Sequence, residues 1–248
     1  MGWLASGAGA FLGWPGISRG AERDAAGRFI LAQLQYRGGD WDPHPQYLKP
    51  FLEELQDRTS VEAAPRRKVL RPQESDLFLN PFVYIMGRHE FAPFTVEERE
   101  TLARFLEMGG FILADDSLGQ TGYGFDRSFR REMKLILPDD ELTGLPQDHA
   151  VYRSFYILRE VAGRLAVRPY LEGITKGNWT PVIYSQNDLA GAWARDRLGR
   201  WLYPVIPGGD KQRSLAFRIG INIVVYALTG DYKKDLIHHP FLKKKLNL

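Results

Sequence analysis

Three apolar segments of this 248-residue sequence end in glycine and clustered charge, the residue types that commonly line ligand sites. The segments F-I-L-A-Q-L-Q-Y, F-V-Y-I-M and F-I-L-A are followed by R-G-G-D-W-D-P-H-P, G-R-H-E and D-D-S-L-G. In an open parallel sheet, the residues just past the carboxyl ends of the strands form the ligand crevice. We therefore expect one candidate ligand site made of Arg37, Gly38, Gly39, Asp40, Asp42, His44, His89, Glu90, Asp115 and Asp116.

The first of these loops has the donor types of a metal site. Asp40, Asp42 and His44 place two carboxylates and an imidazole within five positions, a set that zinc, manganese or magnesium can use. In its sharpest form the hypothesis is a divalent metal held by Asp40, His89 and Asp115 that activates water for hydrolysis. None of the spacings is a recognised metal motif. The alternative is that these charges cap helices, form turns and hold loops by hydrogen bonds.

The third loop contains a possible nucleophile but an incomplete motif. Side chains alternate along a strand, so we expect at most one of Asp115 and Asp116 to face the crevice, with capping of the next turn as the alternative role for Asp116. Ser117 lies where some α/β enzymes place a nucleophile, but the G-x-S-x-G pattern is absent. A Ser-His-Asp set can be written as Ser117, His89 or His149, and Asp188. The sequence alone singles out no catalytic residue.

Two further features have both a binding and a structural interpretation. The loop G-Q-T-G-Y-G at residues 119–124 precedes an arginine-rich helix and could hold an anion, although a flexible loop with a solvated basic face is the alternative. Aromatic rings near the proposed loops could stack on sugars, and core packing or loop anchoring is the alternative for them. These aromatic residues are Trp41, Tyr123, Trp179, Trp193 and Trp201.

Composition excludes several classes of protein. The apolar fraction of 44% is ample for a packed core, and 33 basic against 30 acidic residues, a net charge of +3, give little reason to expect nucleic-acid binding. The 248 residues include no cysteine, which excludes disulfides, thiolate metal sites and a cysteine nucleophile. No stretch approaches the roughly 20 apolar residues of a membrane-spanning helix.

The two ends of the chain differ from the rest. Residues 1–27 form a leader whose first 21 residues are small and apolar, without charge until Arg19, and are similar to the later part of a secretory signal. The basic start of such a signal is missing, and one explanation is that the true start lies upstream. A leader without signal function is the alternative. Residues 231–248 form a basic tail ending in F-L-K-K-K-L-N-L, for which a solvated tail is favoured over an anchor to an anionic surface.

Apolar periodicity in between predicts one α/β domain over residues 28–230. Strands are predicted at residues 28–36, 68–70, 82–86, 111–114 and 181–185, and helices at 46–58, 125–137 and 211–229, with Gly230 as the stop of the last helix. Thr95 and Glu98 form a capping box at the start of another helix. Residues 139–169 lack periodicity and read as an insertion covering the sheet. Alternating strands and helices predict a doubly wound, mostly parallel sheet in three layers.

Motifs spread over residues 28–230 resemble the bacterial domain-of-unknown-function family 4159. They are Q-Y-R-G-G-D-W-D, P-F-V-Y-I-M-G-R-H-E-F, G-G-F-I-L-A-D-D, F-R-R-E-M, L-P-Q-D-H-A-V-Y-R-S-F-Y, L-E-G-I, V-I-Y-S-Q-N-D-L-A-G-A-W and R-I-G-I-N-I-V-V-Y-A-L-T-G. The resemblance implies a flavodoxin-like fold similar to class I glutamine amidotransferases. It also adds polar positions to the candidate site, namely His89, Asp115, Asp116, Asp148, His149, Arg153 and Asp188.

The same resemblance implies attachment to membrane or exported proteins, but it does not carry amidotransferase activity, because the nucleophile turn here reads A-D-D-S without cysteine. Our leading hypothesis is a non-catalytic or weakly catalytic domain. It would be exported to the bacterial periplasm or envelope and bind a polar ligand or an envelope protein at the strand carboxyl ends. The alternatives are the metal-assisted hydrolase using Asp40, His89 and Asp115, a structural assembly module, and a cytoplasmic location.

Overall fold

The computed structural model of the protein describes residues 27–246, with side chains described for residues 27–230. The strands are β1 (Ala32–Leu34), β2 (Lys68–Leu70), β3 (Phe82–Gly87), β4 (Phe111–Asp116), β5 (Thr143–Gly144), β6 (Glu172–Lys176) and β7 (Trp179–Ser185). The helices are α1 (Leu48–Arg58), α2 (Val96–Glu107), α3 (Gly124–Ile136), α4 (Leu189–Trp193) and α5 (Gly209–Leu246), with 3-10 turns at Ser75–Leu79 and Ala150–Arg153.

The seven strands form one sheet in the order β2-β1-β3-β4-β7-β6-β5. In this order, the first five strands, β2, β1, β3, β4 and β7, pair in parallel. Strand β6 pairs antiparallel with β7, and β5 pairs antiparallel with β6 at the edge of the sheet. The prediction of a mostly parallel sheet is therefore confirmed. Because parallel strands have a common direction, the loops after β1, β3, β4 and β7 leave the sheet at the same edge.

Two helical layers enclose the sheet. Tyr84 of β3 belongs to an apolar cluster shared with α1, α4 and α5, whereas its neighbours Val83 and Ile85 belong to a second cluster shared with α2 and α3. Every residue of β3 and of β4 is buried. Burial on both faces explains why these strands appear in the sequence as continuous apolar runs, and it confirms the three-layer prediction.

Local signals predicted some boundaries well. The capping box is present: Glu98 N–H donates to Thr95 Oγ1 at 3.2 Å, and Thr95 N–H donates to Glu98 Oε2 at 2.7 Å. Residues 139–169 are largely irregular, as predicted, apart from β5 and one 3-10 turn. The regular part of β1 is much shorter than the predicted 28–36, since Phe29 makes only an isolated bridge to Ala63.

The predicted helix stop at Gly230 is wrong, because the backbone of α5 continues to Leu246. Gly230 serves close packing instead. A Cβ at this position would lie 1.8 Å from the Trp179 ring, so glycine lets the indole lie against the helix. None of the helices within residues 27–246 is long and apolar enough to cross a membrane. The predicted export leader and the side chains of the basic tail lie outside the described residues.

Candidate functional site

The loops after β1 and β3 meet at the carboxyl edge of the sheet. Gly38 pairs with Phe91 as an antiparallel bridge, and Ala92 N–H donates to Arg37 O at 2.9 Å. Gly38 has φ +71°, a conformation that favours glycine, and a Cβ there would lie 3.0 Å from the Ala92 nitrogen. The glycine-rich sequence of the first loop therefore allows its backbone to approach the second loop.

The acidic residues of the first loop are structural. Asp40 Oδ1 accepts the backbone N–H groups of Arg88 at 2.8 Å and His89 at 2.9 Å, which caps the chain as it leaves β3. Asp42 forms an ion pair with Arg67. The His89 side chain is exposed, and Glu90 pairs with Arg127 at 2.9 Å.

Asp115 and Asp116 point to different surroundings, as the alternation along a strand requires. Asp115 is completely buried and accepts the N–H groups of Leu189 and Ala190, both at 3.0 Å, and the Tyr84 hydroxyl at 2.8 Å. It therefore anchors the start of α4. Burial, followed by the neighbouring charge of Asp188, raises the pKa of Asp115.

Asp116 has only one of its two oxygens engaged. Oδ1 accepts the Leu118 N–H at 2.8 Å, which is the turn-capping role predicted as the alternative, while buried Oδ2 has no hydrogen-bond partner among the described residues. Burial raises the pKa of Asp116 to about 7, and the charges of Asp115 and Asp126 act in the same direction. The charge of this buried carboxyl therefore changes near neutral pH.

The sharp strand-to-helix turn of the edge falls at Asp188, after β7. Among the described residues Asp188 is the one non-glycine with positive φ, at 55°. Its Oδ1 accepts the Gly191 N–H at 3.0 Å and the His44 Nε2–H at 2.9 Å, and its Oδ2 accepts from Arg164 Nε. A Cβ on Gly191 would lie 2.3 Å from Asp188 Oδ2, so this turn requires glycine at that position.

The His44–Asp188 pair is closed off from solvent, since neither side chain has any exposed surface. The Arg88 guanidinium lies 3.4 Å from His44 Nδ1, and the Tyr203 ring packs against the imidazole at 4.7 Å between centroids. On the other side, Arg164 N–H donates to Asp188 O at 2.9 Å.

Residues 163–168 lie across this turn as a strap. A Cβ at Gly163 would lie 2.1 Å from Asn187 O, and Leu165 N–H donates to that carbonyl at 2.9 Å. Asn187 Oδ1 in turn accepts the N–H groups of Val167 at 2.8 Å and Arg168 at 2.9 Å. Arg164 was not predicted as a site residue, because it lies in the insertion without periodicity and only its contact with Asp188 reveals its role.

The Ser-His-Asp set is not assembled. Ser117 Oγ is buried without a hydrogen-bond partner in the described part of the chain, and Asp188 is paired with His44 instead of with a histidine of the proposed set. His149 belongs to another region, where its Nε2 lies 2.9 Å from Thr180 Oγ1 at the amino end of β7. Burial lowers the pKa of His149. Exposed Arg153 follows in the 3-10 turn, so neither residue joins the predicted edge site.

The proposed metal and loop-anion sites find no support in the geometry. Within the part of the chain that the structure describes, no group of three or more acidic or histidine side chains is placed to hold a metal ion, and Asp40, His89 and Asp115 do not form one. The arginines after the glycine loop are engaged with neighbouring carboxylates. These ion pairs are Arg127 with Glu90, Arg130 with Asp126 and Glu172, and Arg131 with Glu132.

Most of the aromatic residues near loops have structural contacts. Trp193 is buried and stacks on Phe51 with ring centroids 4.2 Å apart, and Trp179 stacks on Tyr226 at 4.8 Å. Trp41 lies under the Arg67 guanidinium. Trp201 is partly exposed and lines a cavity.

The open part of the carboxyl edge is a cleft of about 490 Å³ beside the ends of β1 and β2. Arg37 reaches Glu98 at 3.2 Å, whereas exposed Arg71 makes no ion pair with any described residue. The other lining residues are mostly polar. They are Gln35, Tyr36, Pro72, Gln73 and Thr95.

The fold and this edge define a three-layer α/β domain with a mostly parallel sheet. Over residues 30–228 the sequence matches the family described as domain of unknown function (DUF4159), and the chain belongs to that family. No curated protein matches the chain.

Proposed function

We propose that this protein is a non-catalytic binding domain that holds a negatively charged group of a polar ligand or partner in the cleft at the carboxyl edge. The observation that carries the proposal is the pair of arginines in this open cleft. Arg71 has no counter-charge among the described residues, and Arg37 has one only in Glu98 at the start of α2. A cleft of this volume is within the range of small-ligand sites, and guanidinium groups suit carboxylate or phosphate.

The buried edge supports a binding role over a catalytic one. A general base or nucleophile must reach its substrate, whereas His44, Asp115 and Asp188 have no exposed surface and already have hydrogen-bond partners inside the protein. We infer that these residues hold the edge in place, whereas the exposed arginines are the groups available to bind a ligand.

Titration of isotope-labelled protein with inorganic phosphate, followed by amide and side-chain NMR shifts, tests this proposal. We expect saturable shifts at residues 35–37 and 71–73, and we expect Arg71→Gln to weaken binding about 10-fold, as loss of one charged hydrogen bond does. Arg66→Gln is the matched control, because Arg66 is exposed but does not line the cleft. Shifts that are absent at the cleft, or equal in wild type and Arg71→Gln, would contradict the proposal.

The order of the parallel strands supports assignment to the flavodoxin-like class. Read along the sheet, the five parallel strands run second, first, third, fourth and fifth in chain order, which is the flavodoxin-like arrangement. An experimental structure in which β1 and β3 are not neighbours would contradict this assignment.

Export to the bacterial envelope is the location we propose. It is supported by the leader, which is apolar and free of charge until Arg19. A fusion to a reporter that is active only outside the cytoplasm should show activity and cleavage of the leader. Uncleaved, inactive fusion protein would overturn the assignment.

A further inference from the structure

A second cavity, of about 350 Å³, lies on the sheet face covered by α1 and α5, away from the carboxyl-edge cleft. Four arginines line it, coming from α1, the loop after α4, and α5. They are Arg58, Arg195, Arg213 and Arg218. Trp201, in the middle of the same loop, lies among them, and the two acidic residues of the lining are Glu54 and Asp210. We call this site the arginine–tryptophan cavity.

Two of these arginines are held in place by Trp201. The Arg195 and Trp201 backbones pair as an antiparallel bridge, which brings both side chains to the same end of a short hairpin. The guanidinium carbons of Arg195 and Arg213 lie 3.9 Å and 4.1 Å from the centre of the Trp201 ring. Contact with an aromatic ring orients the planar guanidinium and reduces the entropy lost when it binds a ligand.

The arginine charges exceed the available counter-charge. Arg58 pairs with Glu54 at 3.0 Å, but the partners of Arg213 in the described part of the chain are two neutral carbonyls, those of Ala192 and Tyr203. Among the described residues, the Arg195 side chain has no hydrogen-bond or ion-pair partner, and this includes its buried Nε. The four arginines and two carboxylates of the lining leave an excess of two positive charges.

Arg213 shows the electrostatic consequence. The residue is buried, and its Nε is a second buried donor without a partner within the described part of the chain. Burial lowers the pKa of Arg213, and the Arg195 charge acts in the same direction against the opposing effect of Asp210. A bound anion in the cavity would neutralise this crowding of like charges.

We propose that the arginine–tryptophan cavity is a binding site for a small dianion, a phosphate monoester or a dicarboxylate, with Arg195 as the principal contact. Two unmatched positive charges call for two negative ones, and the guanidinium fork matches both carboxylate and phosphate oxygens. The volume is at the lower end of the range for small-ligand sites. This cavity has no lining residue in common with the carboxyl-edge cleft, so either proposal can fail without the other.

Calorimetric titration of the full chain with phenyl phosphate and with succinate tests the site and distinguishes the two kinds of dianion. We expect saturable binding of at least one probe, about 10-fold weaker in Arg195→Gln. Arg218→Gln, at an exposed position of α5 where folding is not at risk, should weaken binding several-fold. Arg197→Gln is the matched control, since Arg197 lies in the same hairpin but does not line the cavity.

An NMR shift of the Trp201 indole N–H on titration with the tighter probe would place binding in the cavity. The proposal is overturned if neither probe binds wild type more tightly than Arg195→Gln and Arg218→Gln. It is equally overturned if Arg197→Gln loses as much affinity as Arg195→Gln, or if the Trp201 resonance stays unchanged at saturation.

Discussion

Two charged regions of this protein differ in whether their charged side chains have ion-pair partners within the protein. Around the turn after β7, Asp188 is completely buried and joined to His44, Arg164 and the start of α4. In the arginine–tryptophan cavity, by contrast, the Arg195 side chain has an aromatic contact and no counter-charge in the described part of the chain. The charges of the first region are paired with one another inside the protein, whereas the second region can still bind an anion.

The physical reason is the cost of burying charge. An ionised group removed from water must be paired and hydrogen-bonded, so buried Asp188 is expected to have partners inside the protein, as it does in His44 and partly buried Arg164. These residues should therefore affect stability when replaced. A cationic cavity that remains in contact with water does not bear this cost in full, so its residues should affect binding.

Asp188→Ala should have the largest effect on stability. It removes the cap of α4 and leaves buried His44 and partly buried Arg164 without their carboxylate, for which we expect a loss of about 3–5 kcal/mol in the free energy of unfolding. Urea denaturation measures it. Asp188→Asn, which keeps a capping oxygen and tolerates the left-handed backbone, should lose less. Equal stability of Asp188→Ala and wild type would show that the network is not structural.

Arg164→Gln tests the strap in the same network. It removes the guanidinium from Asp188 and from Ser117 O, and we expect a loss of about 2 kcal/mol with faster hydrogen exchange at the Arg164 and Leu165 amides. Arg159→Gln, at an exposed position of the same insertion, is the control. Unchanged exchange at these amides would mean that the backbone bonds alone hold the strap.

The sequence predicted the fold better than the site because the two rest on different signals. Continuous apolar runs predicted β3 and β4, and the capping box of Thr95 and Glu98 predicted the start of α2. Burial and helix capping can be recognised because each produces a pattern among residues that are close in the sequence. Gly230 was misjudged because a helix stop and a close contact with Trp179 both call for glycine, and only the tertiary structure distinguishes them.

Candidate site residues were chosen by charge and position, which do not reveal partners. Asp40 and Asp115 do lie at the predicted edge, yet each is occupied by backbone N–H groups. His149 was grouped with this edge from a motif, but it contacts Thr180 at the other end of β7. Nothing in the sequence was a reason to select Arg195, because its importance comes from having no ion-pair partner among the residues that the structure describes.

Asp116 should make stability depend on pH. Its pKa is raised to about 7 in the folded protein, so its contribution to stability is present below the ordinary value of 3.8 and is lost as pH rises through about 7. Asp116→Asn cannot titrate, so the variant does not lose this stability. We therefore expect the difference in melting temperature, variant minus wild type, to increase from pH 5 to pH 8 by the equivalent of about 2 kcal/mol. Asp139→Asn, at an exposed acid, should show no such trend.

Arg195→Gln should have the smallest effect on stability, although its effect on anion binding is large. The side chain has no hydrogen bond or ion pair to lose among the described residues, and relief of repulsion from Arg213 offsets the lost contact with Trp201. We expect a change within about 0.5 kcal/mol in urea denaturation. Arg213→Gln should lower the free energy of unfolding by about 1–2 kcal/mol, because the carbonyls of Ala192 and Tyr203 lose their hydrogen bonds to the guanidinium. A loss for Arg195→Gln as large as that for Arg213→Gln would mean that the cavity is part of the scaffold, and the contrast between the two charged regions would disappear.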